Sequence, residues 1–263
     1  MKKIGIIGST GIRIDLLADK YDFESIDVGM KKFKYYHGYI DDAEIFLTSR
    51  NQYLGAVPPH EVDYKLIMHG MKQLDVDVIL GTAVSGSLTE DIPVGSYLVL
   101  DQFLDFTKKS PNTIYDSEAF AFVEFEEPYC PHTRRILIDA CEKTGVQFLP
   151  YGCYVGVDGP RYETSAEVKM FRMLGGDVVG MTNVVETIFA RELGMCYAAL
   201  SLISNLGAGI SPQKVVIRQE CYDATMAMLD STISIIKNFI ELYHSNKDCD
   251  CSEKNNDMQI SGQ

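Results

Sequence analysis

The chain has 263 residues, 46% of them hydrophobic, a size and composition that one α/β domain fills without splitting. Acidic residues outnumber basic ones, 37 against 24, and the formal charge of -13 excludes a general nucleic-acid binder, which needs a basic face. No run of about 18 apolar residues is present to span a bilayer. The start Met1-Lys2-Lys3-Ile4-Gly5-Ile6-Ile7-Gly8 passes directly into a strand pattern, without the apolar region and cleavage site of a signal peptide, so a soluble cytoplasmic protein is expected.

In chain order, short β-rich runs stand at 3–8, 44–48, 76–82, 97–101, 154–158, 177–180 and 196–203, separated by longer helical patterns. That alternation is the signature of an α/β fold with a central sheet flanked by helices. Tyr64, Ile67, Met68, Met71 and Leu74 fall at helical spacing on one apolar face, which reads as core packing. Tyr222, Met226, Leu229, Ile233, Ile236, Ile240 and Tyr243 alternate in steps of four and three and predict one last helix lying along the sheet. The domain is therefore expected over residues 1–244. Residues 245–263 are polar and nearly free of large apolar side chains, so they cannot offset their own ordering entropy and are expected to be disordered. No repeat at solenoid period occurs.

The seven cysteines show no ordered zinc spacing, and an odd number scattered through apolar segments suits free thiols in a reducing compartment. Cys249 and Cys251 form a lone CxC in the polar tail. Two ligands do not complete a four-coordinate site, so no metal is expected.

Four segments could carry chemistry. Gly8-Ser9-Thr10-Gly11 follows the first strand, where small residues let backbone N–H groups and two hydroxyls approach an anion, or simply make a tight turn. It is neither GxGxxG nor GxxxxGK[ST], which argues against dinucleotide and Walker-type binding. Arg50 in Thr48-Ser49-Arg50-Asn51 closes a strand, where a guanidinium either holds an oxyanion at two points or sits on the surface. His60, in Pro58-Pro59-His60, opens the next helix in a capping or a functional role. Gly81-Thr82-Ala83-Val84-Ser85-Gly86-Ser87 lies at the carboxyl end of a strand, the edge where open α/β sheets bind ligands. Gly159-Pro160-Arg161-Tyr162-Glu163-Thr164-Ser165-Ala166-Glu167 leads into a helix, and Gly180-Met181-Thr182 and Ser204-Asn205 close later strands. Packing alone does not account for four strand ends bearing Ser, Thr, Arg, Glu and Asn.

These strings resemble the trimeric purine nucleoside phosphorylase family. The likeness is carried by Ile6-Ile7-Gly8-Ser9-Thr10-Gly11, Pro58-Pro59-His60, Gly86-Ser87-Leu88, Gly95, Asp101-Gln102-Phe103 and Gly159 to Thr164. It continues through Ala166-Glu167, Met170-Phe171-Arg172, Gly180-Met181-Thr182, Glu186 and Ala190-Arg191-Glu192, covering residues 4 to about 240 in order. Tyr115-Asp116 and Tyr129-Cys130-Pro131 look most like the methylthioadenosine phosphorylase branch.

The resemblance implies a single-domain phosphorylase-type fold, a homotrimer, and phosphate attack on C1′ of a purine nucleoside with no cofactor beyond inorganic phosphate as co-substrate. By the same likeness Thr10, Arg50, Asn51 and Thr182 would hold phosphate, with the backbone at Val84 assisting. Ser85, Gly86 and Tyr162 would line the purine, and Met181, Gln219 and a neighbouring subunit's His60 would lie at the ribose. Asn205 would donate to N7 or O6 of the leaving base and Glu163 would accept from N1–H, so Asn205 and Arg50 would carry catalysis. An Asn with a Glu matches a 6-oxopurine, whereas the enzymes selective for 6-aminopurines present Asp at the Asn205 position. Where the branch usually has His, Gly and a second His, this chain has Asn51, Gln52 and Gly55, and Ala83 stands where Thr or Asn is usual. The leading expectation is phosphorolysis of inosine, guanosine or 5′-methylthioinosine in purine salvage. A 5′-methylthioadenosine phosphorylase and a catalytically impaired purine-binding paralogue are the alternatives.

Overall fold

The computed structural model describes residues 1–115, 119–211, 216–245, 248–253 and 258–260. Asp116 of the Tyr115-Asp116 pair lies outside them. The strands and helices follow in the order β1 (Lys2–Gly8), β2 (Tyr21–Val28), β3 (Lys31–Ile40), β4 (Ala43–Ser49), α1 (Tyr64–Gln73), β5 (Val78–Ser87), β6 (Tyr97–Val99), β7 (Gln102–Asp105) and β8 (Ala119–Ala121). Then come α2 (Pro131–Thr144), β9 (Phe148–Leu149), β10 (Cys153–Gly156), α3 (Ser165–Met173), β11 (Val178–Gly180), α4 (Asn183–Glu192), β12 (Cys196–Leu206), α5 (Arg218–Ala227), α6 (Leu229–Leu242) and β13 (Met258–Ile260). Among the described residues no helix is long and apolar enough to cross a membrane.

Eleven of these strands form one mixed sheet, in the order β2-β3-β4-β1-β5-β11-β10-β7, with β12 on β5 and β6, and β9 on β6. Period-two alternation sends opposite side chains to opposite layers. Ala198, Leu200 and Leu202 of β12 pack with Ile136 and Leu137 of α2 and Ile236 and Phe239 of α6. Tyr197, Ala199 and Ile203 face the other way, into a cluster with Ile67 and Met71 of α1 and Phe189 of α4. The strand is thus buried on both faces, as a central strand between helical layers must be.

β5 is the hinge of the topology. It pairs in parallel with β1 only over Val78 to Gly81, with β12 over its full length, and with β11 in antiparallel fashion at Gly86 and Ser87. β1 has therefore left the sheet where β11 joins it, and the second half of β5 borders an opening. β12 carries a one-residue register shift between Ile203 and Asn205, a bulge at Ser204 that re-aims the following side chain.

Three features differ from expectation. β2 and β3 form a hairpin that hydrophobic alternation did not announce, because most β2 residues are exposed or half-buried on both faces. The expected single last helix is divided at Met228 between α5 and α6. Met228 N bonds the Thr225 carbonyl three residues back at 3.2 Å, a tightened turn between the two helices, while the Met228 carbonyl keeps its helical bond from Thr232 N at 2.9 Å and also accepts from Tyr97 Oη at 2.9 Å. The tail, expected to be disordered, has described residues 248–253 laid against the body, where Asp248 meets Arg135 and Cys251 is buried. Met258 to Ile260 pair with Ala119 to Ala121.

Candidate active site

The opening beside β5 is a cavity of about 910 Å³ walled by the ends of β1, β4, β5, β11 and β12 and by the segments that follow them. Of the expected site residues, Thr10, Arg50, Asn51, Val84, Ser85, Gly86, Tyr162, Glu163, Met181, Thr182 and Asn205 all lie on its wall. His60 and Gln219 do not. His60 sits in a short 3-10 turn with Nδ1 buried and without a partner among the described residues, while the flanking Pro59 and Val62 line the cavity. Gln219 turns away to Asp223 at 2.8 Å, and its neighbour Arg218 lines the cavity in its place.

One side of the cavity is built for an anion. Arg50 reaches it from the end of β4, held by Glu186 of α4 through Nε to Oε1 at 2.5 Å and Nη2 to Oε2 at 3.0 Å. Glu186 is fully buried and also accepts from Tyr197 Oη at 2.7 Å. Burial alone would push the Arg50 guanidinium down in pKa, but the Glu186 carboxylate outweighs it and holds the group above its ordinary value. Two Arg50 N–H groups are spent on Glu186, and Nη1 has only the Gly8 carbonyl at 3.5 Å.

Nearby, Ser9 N donates to Thr82 Oγ1 at 2.7 Å, which fixes the loop, while Ser9 Oγ is buried with no partner among the described residues. Thr182 stands at the N-terminus of α4 with its hydroxyl not used for capping, and the helix dipole there favours negative charge. Asn51 serves the loop. Its Oδ1 accepts from Ser49 Oγ and Tyr53 N, and its Nδ2 donates one N–H to the Gly55 carbonyl, so it shapes residues 51–55 and keeps its second N–H at the cavity wall. Ala83 packs in the core beneath the sheet, so the departure there removes no donor from the wall.

Asn205, Gly86, Tyr162 and Glu163 make up another part of the wall. The bulge at Ser204 turns Asn205 over Gly86, and a Cβ at Gly86 would lie 2.9 Å from Asn205 Nδ2, so a side chain there would displace the Asn205 carboxamide. Asn205 accepts from Ser204 Oγ at 2.8 Å and donates to the Leu206 carbonyl at 3.0 Å, which orients the amide and leaves its second N–H. Opposite, the Thr164–Glu167 capping box of α3 and the Arg161–Glu167 ion pair at 2.7 Å brace the segment that presents Tyr162 and Glu163. Burial pushes the Glu163 carboxyl up, against its own backbone N–H, which favours the ionised form. Gly159 has φ +63°, and a side chain there would collide with Met181, which lies between the two halves of the cavity wall.

Sequence reading missed Ser9 as an unsatisfied hydroxyl, Glu186 as the carboxylate behind Arg50, and Arg218. Glu186 was visible within the family string, but nothing local pairs it with a residue 136 positions away.

The model of the phosphorylase superfamily matches residues 3–241. The chain is 35% identical over 260 residues to the 6-oxopurine nucleoside phosphorylase of Pyrococcus furiosus, covering 96% of this chain and 97% of that one. It is 34% identical over 250 residues to a probable S-methyl-5'-thioinosine phosphorylase of Thermodesulfovibrio yellowstonii, covering 95% and 94%. Among solved structures, methylthioadenosine phosphorylase from Schistosoma mansoni in complex with adenine superimposes with a TM-score of 0.87 at 27% identity, covering 92% of this chain and 91% of that one.

Proposed function

The chain belongs to the phosphorylase superfamily, and from that premise we propose that it cleaves a 6-oxopurine nucleoside with inorganic phosphate, releasing the free base and a ribose 1-phosphate derivative. Inosine, guanosine and 5′-methylthioinosine are the candidate substrates. The observation that carries this reading is that Asn205 and Glu163 line the same cavity as Arg50, Ser9 and Thr182.

In the proposed reaction a phosphate oxygen bonds to C1′ as the C1′–N9 bond breaks, through a transition state with oxocarbenium character. The bonding electrons pass to the purine. Asn205 donates to N7 or O6 as that charge grows, and Glu163 accepts the N1 proton that a 6-oxopurine carries and adenine lacks. Arg50 and the hydroxyls of Ser9, Thr10 and Thr182 hold the phosphate from the opposite side, with Val84 backbone beside it. Preorganised donors of this kind are worth about 10²-fold or more in rate each. The reaction needs no cofactor.

We also propose a cytoplasmic homotrimer of 29.4 kDa chains in purine salvage, with His60 completing a neighbour's ribose site. A monomer fully active at nanomolar concentration would exclude the shared site.

The test is a panel of inosine, guanosine, 5′-methylthioinosine and 5′-methylthioadenosine with and without phosphate, read by base release. Phosphate-dependent release from the three 6-oxopurine nucleosides in preference to the adenine nucleoside supports the reading. A preference for 5′-methylthioadenosine supports the second reading, which the likeness to the adenine-bound Schistosoma mansoni enzyme favours. Binding without phosphate-dependent release from any member indicates an impaired paralogue.

A further inference from the structure

The structure gathers four cysteines that are far apart in sequence. The Sγ atoms of Cys130, Cys196, Cys249 and Cys251 all lie within 4.8 Å of one another, and Cys196 Sγ is 3.5 Å from Cys249 Sγ. Cys130, Cys196 and Cys251 are buried, and Cys249 is half-buried. We propose that these four thiolates bind one zinc ion in a closed tetrahedral site that fastens the C-terminal tail to the domain. The lone CxC of the tail thus gains the two ligands it lacks in sequence, and the expectation of no metal, made on two ligands alone, is revised.

Four sulfurs at the usual zinc–sulfur bond length of about 2.3 Å form a tetrahedron with edges of about 3.8 Å, which is the scale of this cluster. Soft thiolates in a tetrahedral set select zinc over hard cations. The body of the protein is arranged for the resulting negative charge. Cys130 caps the 14-residue helix α2, and Thr133 N donates to its Sγ at 3.4 Å, so the positive end of the helix faces the sulfur. The buried Arg191 guanidinium donates to Cys251 Sγ at 3.8 Å. Cys130 N also bonds the Tyr197 carbonyl at 2.9 Å, which fixes the pair of ligands from the body before the tail arrives.

The tail needs such a fastening. Residues 248–253 carry no large apolar side chain, yet Cys251 is 2% exposed and its carbonyl lies against Gly194. Ordering a polar segment costs backbone entropy, and a metal site offsets that where a core cannot. The ion has no part in the reaction proposed above. Cys196 opens β12 and Asn205 lies near its other end, about 30 Å away at the rise of a strand.

The test uses the full chain purified under reducing conditions from zinc-supplemented cells, passed over a desalting column after brief exposure to a weak chelator. Elemental analysis should find about one zinc per chain, falling at least tenfold in the double variant Cys249→Ser/Cys251→Ser and unchanged in Cys153→Ser. Independently of any variant, wild type stripped of metal and reloaded with cobalt should show the thiolate-to-metal absorption and intense visible bands of a tetrahedral tetrathiolate. Proteolysis of the stripped chain should then release the tail faster than that of the loaded chain. A chain with no bound metal overturns the proposal, whether intact mass and thiol alkylation show all seven cysteines reduced or show disulfides among the four. A cobalt spectrum of a hexacoordinate or mixed oxygen site overturns it too.

Discussion

Arg50 and Glu186 meet through two parallel contacts, 2.5 and 3.0 Å long, with the carboxylate fully buried behind the guanidinium. The arrangement fixes the plane of the Arg50 head group from the core side, so that Nη1 is presented to the cavity without a search over rotamers. It also makes Arg50 part of the fold as well as of the anion site. Glu186 is tied in turn to Tyr197 Oη, which accepts from Asn183 Nδ2 at 2.7 Å, so the Arg50 side of the cavity is anchored to the start of β12.

Arg50→Ala is therefore expected to do two things. Phosphorolysis falls by about 10²-fold or more, because a charged donor is lost from the cradle. Stability falls by about 3–5 kcal/mol, because Glu186 is left as an uncompensated buried charge. The pair Arg50→Met/Glu186→Gln separates the two effects, since it removes both charges and should recover most of the melting temperature without recovering activity. Calorimetry and kcat/KM at limiting phosphate check this, and recovery of activity in the pair would reduce Arg50 to a structural residue.

Ser9→Ala gives the converse pattern. The Ser9 hydroxyl is buried and unpartnered in the ligand-free chain, so removing it relieves a desolvated polar group and leaves stability unchanged or slightly raised. If the hydroxyl is there for phosphate, KM for phosphate should rise by about five- to tenfold, the equivalent of one hydrogen bond of about 1 kcal/mol. An unchanged phosphate KM at unchanged stability would remove Ser9 from the anion site.

Part of this site is legible in the sequence because strand ends are local features. Ser, Thr, Arg and Asn after β-rich runs mark the edge of a sheet, and Gly8, Arg50, Ser85, Thr182 and Asn205 all reach the cavity from such ends. What is not legible depends on distance along the chain or on a single irregularity. The Ser204 bulge has no composition signal, yet it sets the direction of Asn205. Hydrophobic periodicity is silent on β2 because that strand buries no continuous face, and it overran Met228 because the apolar stripe continues across the tightened turn between α5 and α6. The tail read as unable to fold because its interactions are through sulfur, not apolar area.

Glu163 gives a pH signature. Burial raises its pKa above the ordinary 4.5, so in the ligand-free chain it is protonated over a wider acidic range than an exposed glutamate. A group raised in the folded state contributes stability below its unfolded value and loses it as pH rises through the folded value, so ionised Glu163 weighs against folding at neutral pH. Glu163→Gln should then raise the melting temperature at neutral pH and not at pH below the unfolded value. Because the ionised carboxylate accepts from N1–H more strongly than the protonated acid or a carboxamide, kcat/KM for inosine should fall on the acidic side through that raised pKa in wild type, and this limb should vanish, at a lower plateau, in the variant. An identical acid limb in Glu163→Gln assigns the titration elsewhere.

The base preference should follow Asn205 together with Glu163. Asn205 has one N–H committed to the Leu206 carbonyl and one lone pair of its oxygen committed to Ser204 Oγ, which leaves its second N–H as the donor for the ligand. A donor suits N7 or a 6-oxo group and does nothing for the N–H of a 6-amino group, while a Glu163 carboxylate facing the bare N1 of adenine would be left unpaired. That mismatch costs about 1–3 kcal/mol, so wild type should favour 5′-methylthioinosine over 5′-methylthioadenosine by about ten- to a hundredfold in kcat/KM, and inosine over adenosine likewise. In Asn205→Asp a protonated side chain can donate to N7 while its other oxygen accepts from a 6-amino group, so both ratios should shift toward the adenine member. Gly86 must be kept in this variant, because the side chain at 205 lies where a Cβ at 86 would stand. Measuring the two ratios in wild type and variant decides the matter: if wild type prefers the adenine nucleoside in both pairs, Asn205 and Glu163 do not read the base, and the likeness to the adenine-bound structures outweighs the chemistry of these two residues.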